Sequence, residues 1–234
     1  MNLEGLSDWA RLSPFIDLMK TARPWGTVDT PWIASSQVDA QGWPTGDAGV
    51  FVKVQTVDAG DQATYMKTGT YKLRFTGRAT VSASGATVGN YVYDSSANTS
   101  TADVVVGSGA TQLMLTFRGT TGGVRNVSLR QPGYADNETF TNEFKQAVAP
   151  FGVLRLMDYL ATNHTKVRTW AERTTPASAT QASDKGGSYE HAIQMANELG
   201  KDIWINVPHQ ADDAYVRSLA ELLKQNLASN RVVY

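Results

Sequence analysis

The chain has 234 residues, 41% hydrophobic and 18% charged, with a formal net charge of -1 and no cysteine. That balance belongs to a folded protein and offers no clustered positive surface for nucleic acid or an anionic membrane. The missing cysteines exclude disulfides and thiolate metal sites, and no apolar run approaches the ~20 residues of a membrane helix.

The opening stretch, Met1-Asn2-Leu3-Glu4-Gly5-Leu6-Ser7-Asp8-Trp9, lacks the basic start and apolar run of a signal peptide. The expectation is that such a signal has been removed or that the protein leaves its cell by another route, such as inside a virion. Phe15, Ile16, Leu18 and Met19 stand at near-helical spacing behind Ser13 and Pro14, which suit an N-cap and a first helical position. A helix is expected there, ending before Pro24.

From about residue 25 to residue 133 the chain is rich in Gly, Thr, Val and Ser. Short alternating runs recur at 49–54, 69–75, 90–94, 102–106, 112–117 and 124–129, each bounded by turn residues. Alternation buries one face of each run, and so many strands in about a hundred residues predict a β-sandwich of jelly-roll type. From residue 134 the pattern changes. Helices are expected at 141–148, 189–199 (with Gly200 as C-cap) and 212–227, and apolar strands at 151–157, 202–207 and 231–234. A polar loop, roughly 163–187, separates the first strand from the second helix. Helix–strand alternation predicts a parallel sheet flanked by helices.

Val153-Leu154-Arg155-Leu156-Met157-Asp158, the stretch 197–209 around Trp204-Ile205-Asn206-Val207-Pro208-His209, and Arg231-Val232-Val233-Tyr234 look like successive strands of one barrel. With the opening at Asn2, they resemble bacterial and phage proteins that carry a clan-A glycoside-hydrolase-like (β/α)8 barrel, often labelled cellulose- or carbohydrate-binding. The resemblance implies an α/β plus all-β chain: an incomplete (β/α)8 TIM-like barrel with an inserted jelly-roll-like β-sandwich. Its parts would be a first barrel strand and helix at 1–24, a carbohydrate-binding-like sandwich at 25–133, and a partial barrel at 134–234.

The family's catalytic Glu residues would fall after Tyr234, so the resemblance implies glycan recognition without hydrolysis in this chain, or the opening part of an active hydrolase of longer chain. A virion protein, in a tail fibre or on a capsid surface, that uses the fold for host attachment is the other reading. An extracellular or virion-associated location is expected. The expected partner is a polysaccharide or surface glycan, with a homo-oligomer or larger assembly covering the open barrel edge; no nucleic acid, membrane, metal or cofactor is expected.

Five residues are candidates for ligand binding. Arg155 stands inside an apolar strand and needs a partner there: a carboxylate or sugar hydroxyl at the barrel mouth, or a structural ion pair. Asp158 follows that strand and either bonds sugar hydroxyls or caps the next loop. Trp170, in the long polar loop, offers an indole face for a sugar ring or packs against a neighbour. Asn206 and His209 sit where a barrel strand ends and loops build sites.

Overall fold

The computed structural model describes residues 1–10, 12–54 and 66–234. The chain divides into two units. One comprises Ser7–Thr139 with Ala177–Thr180, and the other Met1–Leu6, Phe140–Pro176 and Gln181–Tyr234.

The described residues of the first unit form seven strands: β1 (Ala48–Val54), β2 (Gly69–Thr76), β3 (Thr80–Ser84), β4 (Thr87–Asp94), β5 (Thr99–Val106), β6 (Gln112–Arg118) and β7 (Arg125–Arg130). They form two antiparallel sheets, ordered β1-β6-β3 and β4-β5-β2-β7. The alternation in sequence explains the layering. Tyr71, Leu73 and Phe75 of β2, Ala102, Val104 and Val106 of β5, and Leu113, Leu115 and Phe117 of β6 turn inward to a shared core, while their neighbours face out. Phe117 joins the sheets: its ring lies edge-on to Phe75 at 5.2 Å and 5.4 Å from the ring of Trp25. Each such fully buried side chain contributes about 1.5–3 kcal/mol relative to exposure.

The helix expected after Pro14 is not there. Residues Leu18–Lys20 form a single 3-10 turn, capped by Asp17, whose Oδ1 accepts hydrogen bonds from the amides of Met19 and Leu129. Phe15 and Ile16 lie in chain paired with other chain: the Ile16 amide donates to the Thr139 carbonyl, and the Ile16 carbonyl accepts from the Gln131 amide. Phe15, Ile16, Leu18 and Met19 are all buried. Apolar residues on both sides of the capping Asp17 are buried, so their spacing reflects enclosure rather than a helical period. Residues 7–24 accordingly belong to the sandwich unit.

β4 carries one extra residue. Gly89 faces Asp103 of β5, but Val92 faces Thr101, so three steps along β4 match two along β5. The bulge sits at Asn90, whose φ is 51° and whose side-chain amide donates to Asp103 at 2.8 Å. Because strand faces alternate, one inserted residue exchanges the faces of all that follow. Tyr91 and Tyr93 thereby fall on the side of Val88, which packs against the core, and Val92 is left 61% exposed.

The second unit holds α1 (Asn142–Val148), β8 (Val153–Arg155), α2 (Tyr189–Leu199), β9 (Asp202–Trp204) and α3 (Asp213–Asn226). Each helix starts at a capping side chain, Thr141, Ser188 and Asp212, which accepts from an amide three residues on. α2 stops at Gly200, whose φ of 65° suits a residue without Cβ. β8 and β9 pair in parallel, and single parallel bridges join Asn2 to Arg155 and Ile203 to Val233.

This arrangement overturns the barrel expectation. Of the described residues 28% are in strands and 17% in helices; they hold three α-helices, their larger sheets are antiparallel, and no sheet among them closes into a barrel. A (β/α)8 barrel requires eight strand–helix units. The sequence alternation is real but local: it specifies a three-residue parallel pair and its helices, and nothing in periodicity counts how many such units a sheet contains. The sandwich-like sheets are compatible with the all-β part of the expectation. Among the described residues no helix is long and apolar enough to cross a membrane.

Candidate functional site

The five candidate residues all lie in the second unit. No hydrogen bond, ion pair or ring contact among the described residues joins any two of them. Arg155 is half-buried; its guanidinium stands 5.6 Å from the ring centre of its strand neighbour Trp204 and donates to the Met157 sulfur at 3.2 Å. Asp158 is exposed in the turn after β8, and only its backbone carbonyl is engaged, accepting from the Ala161 amide. The Asn206 side-chain oxygen is buried without a partner. His209 is exposed and its Nε2 meets the Gln210 amide nitrogen at 3.1 Å, while the Gln210 oxygen accepts from Arg168. Trp204 is 47% exposed.

Trp170 is already engaged. Its ring stacks with Tyr189 at 6.1 Å and 14°, meets Tyr215 edge-on at 5.1 Å, and lies 3.8 Å from the Arg173 guanidinium. Arg173 also pairs with Glu190 at 2.6 Å, and Tyr215 donates a hydrogen bond to the Tyr189 hydroxyl at 3.0 Å. Burial pushes the Tyr189 hydroxyl well above the usual tyrosine range, reinforced by the neighbouring Tyr215. The Tyr159 hydroxyl is likewise pushed far up, by burial first and by the Glu190 charge second. Gly187 allows the loop to lie on the Tyr159 ring; a Cβ there would meet that ring at 2.6 Å. This cluster binds the long polar loop to α2 and α3. It is an internal support, its three rings in contact with one another and with Arg173.

A more open site occurs in the sandwich. Two clefts, of about 590 Å3 and 570 Å3, share Arg78 and Thr121. Three connections build them: the β2–β3 turn, the β4–β5 hairpin and the β6–β7 loop. The first cleft adds Tyr93, Asn98 and Arg125, and the second Thr80, Val88 and Tyr91. No Asp or Glu is among the described residues that line either one.

The tyrosines are fixed in place. Tyr91 shares a 2.8 Å hydrogen bond with Ser100, whose hydroxyl donates onward to the Gly77 carbonyl at 2.7 Å. That order makes Tyr91 the donor to Ser100, while its oxygen also accepts from the Ala79 amide at 3.4 Å. Its ring, 38% exposed, backs onto Phe75. Tyr93 donates to the Asn98 oxygen at 3.0 Å, and Arg78 stands 5.8 Å from the Tyr93 ring centre. Asn98 itself has φ 46°, the left-handed region Asn tolerates. Its amide NH2 and the hydroxyls of Thr80 and Thr121 make no hydrogen bond with described residues.

No family model matches this sequence, and no curated protein or solved structure is significantly similar to it. Chemistry at the cleft must therefore be read from its own residues.

Two carboxylates hold the cleft's loops. Asp47 accepts from the amide of Thr120 at 2.8 Å, the amide of Gly119 at 2.9 Å and the Thr120 hydroxyl at 2.8 Å. Asp94 accepts from the hydroxyl of Ser96 and the amides of Ala97 and Ser96. These bonds favour the charged form and hold both carboxyls below the ordinary aspartate range. A depressed folded-state pKa gives a contribution that is complete above the unfolded value of about 3.9 and is lost as pH falls through the lower folded value. The expected result is that both loops loosen only in strong acid. Carboxyl titration followed by NMR should place both midpoints below that of free aspartate; a midpoint at or above it would refute the anchoring role.

Sequence reasoning missed this cleft because it read residues 90–94 as a plain strand. The usable signal was Gly89-Asn90 before Tyr91-Val92-Tyr93: Gly and Asn inside a strand pattern mark a bulge, and the bulge decides which side the tyrosines take.

Proposed function

We propose that this chain recognises a glycan and does so in the sandwich cleft around Arg78. The observation that carries the reading is the pairing of two immobilised tyrosine rings with unengaged hydrogen-bonding groups along one open groove. A sugar ring offers an apolar C–H face and a rim of hydroxyls. Tyr91 and Tyr93 suit the face, and the Thr80 and Thr121 hydroxyls, the Asn98 amide and Arg78 suit the rim. An open, half-polar groove fits a hydrated chain better than an apolar small molecule, whose sites are enclosed and mostly hydrophobic.

The groove contains no carboxylate, whereas glycoside hydrolysis needs two. The reading is therefore binding of a polysaccharide or surface glycan, without cleavage at this site. The test is retardation of the purified chain in native gels containing soluble polysaccharides, with Tyr91→Ala and Tyr93→Ala variants beside it. Retardation by at least one polysaccharide, lost in either tyrosine variant, is expected. Retardation unchanged in both variants would remove the cleft from the proposal, and no retardation by any polysaccharide would remove the proposal itself.

A further inference from the structure

We infer that the sandwich cleft selects an acidic glycan, one bearing a carboxylate or sulfate group, and that Arg78 is the residue that holds the acid. The inference rests on the glycan reading of the same cleft and narrows it to a charge class.

The argument begins with what Arg78 lacks. Of the other described arginines of this unit, Arg23, Arg118, Arg125 and Arg130 have partners, whereas Arg74 has none and stands outside both clefts. Arg23 pairs with buried Asp8 at 3.1 Å, Arg118 stands 3.8 Å from Asp29, and Arg125 pairs with Asp39 at 3.0 Å and donates to the Pro44 carbonyl. Arg78 makes no ion pair and no hydrogen bond with any described residue; its guanidinium stands over the Tyr93 ring at 5.8 Å. It is also the residue, with Thr121, that both clefts share. A guanidinium presents five N–H donors in a planar fork that matches a carboxylate or sulfate edge. Here that fork stands, unspent, at the centre of the groove.

The second observation is the sign of the surroundings. Neither cleft has an acidic residue in its lining, and the nearest anchoring carboxylates spend themselves on backbone amides: Asp47 on Gly119 and Thr120, Asp94 on Ser96 and Ala97. Arg125, although it lines one cleft, has its charge balanced by Asp39. Among the described lining residues Arg78 is thus the cation without a carboxylate partner, while Asp47 and Asp94, ionised and bound to backbone amides, lie in the supporting loops outside the lining. An acidic sugar stacked on a tyrosine would complete the pair. A neutral sugar would leave the guanidinium to water.

The chain as a whole has a formal charge of -1, so indiscriminate attraction to polyanions is not expected, and the electrostatics are local. Arg78 is exposed and bonds to nothing else, which lets it be replaced without disturbing the fold.

The test uses the full chain with three soluble polymers: a homopolymer of uronic acid, a sulfated polysaccharide and a neutral glucan. Affinities are compared by titration calorimetry for the parent protein and for Arg78→Ala, Arg78→Lys and Arg74→Ala. Arg74 is exposed on β2 outside both clefts and serves as the charge control. The expected result is preference for one of the acidic polymers, weakened by about tenfold or more in Arg78→Ala, partly retained in Arg78→Lys and unchanged in Arg74→Ala. Which acidic polymer binds distinguishes carboxylate from sulfate. Binding to the neutral glucan as tight as to both acidic polymers would overturn the inference and leave the glycan reading intact. So would an equal loss in Arg74→Ala, or no loss in Arg78→Ala. Failure of all three polymers to bind would overturn both.

Discussion

Replacing Arg173 with alanine is expected to destabilise the second unit by about 3 kcal/mol, the lower end of the cost of breaking a buried ion pair. The two side chains are 14% and 27% exposed, so water still screens the pair in part. The loss has two sources. Glu190 keeps its charge with no cation beside it, and Trp170 loses the guanidinium 3.8 Å from its ring. Glu190 Oε2 and Arg173 Nε are already without partners, so the pair has little hydrogen bonding in reserve. The paired replacement Arg173→Met with Glu190→Leu removes both charges together and should recover most of the loss, since a buried pair replaced by apolar groups of similar volume is often close to neutral. Urea unfolding of the single and paired variants measures this. If the pair of changes costs as much as the sum of the singles, the two residues are not coupled and the account fails.

Trp25→Ala should cost more than any other single change in the sandwich, about 3–5 kcal/mol, from lost transfer energy plus the cavity left behind. Trp25 is 1% exposed and its ring meets both Phe117 and Trp43, at 5.4 and 6.4 Å. A less obvious result is expected of Trp25→Phe. The indole N–H is buried without an acceptor, a state that costs free energy in the folded protein. Phenylalanine removes that donor while keeping most of the apolar volume, so its penalty should be well under half that of alanine. Thermal and urea denaturation of the two variants would check the ratio. Equal penalties would mean that the N–H is satisfied in solution and that the ring's whole volume is what matters.

The strands of the sandwich could be read from the chain because each buries one face, and alternation records that directly: Tyr71-Lys72-Leu73-Arg74-Phe75 reads the same in sequence and in section. Helices α2 and α3 were legible for the same reason at their own period, with Ser188, Gly200 and Asp212 marking ends. What failed was everything that depends on enclosure or count. Phe15, Ile16, Leu18 and Met19 look like one face of a helix, yet all four are buried in a segment that turns only once, at Leu18–Lys20. The short strands β8 and β9 look like members of a large barrel because a parallel strand buried on one side has the same composition whatever the number of its neighbours. β3 was overlooked: Thr80-Val81-Ser82-Ala83-Ser84 buries too little to stand out, with no residue fully enclosed.

The candidate site followed the same logic. Trp170 was singled out for standing in a polar loop, but a loop rich in polar residues can still have an aromatic interior, and this one does. Arg78 left no mark in the sequence at all. Its significance is its place, without a partner, between the two clefts, and only the fold creates that.

The inserted residue in β4 has one more effect. β4 is one of the two outer members of the four-stranded sheet, and an outer strand offers unpaired amides and carbonyls to any other chain that runs alongside it. Val92, exposed at 61% beside that rim, would make such an encounter adhesive. The kink at Asn90 breaks the straight run of groups that a second strand would need to zip against. The irregularity that turns two tyrosines toward the groove thus also acts as a guard against strand-to-strand aggregation, and one Asn serves both ends.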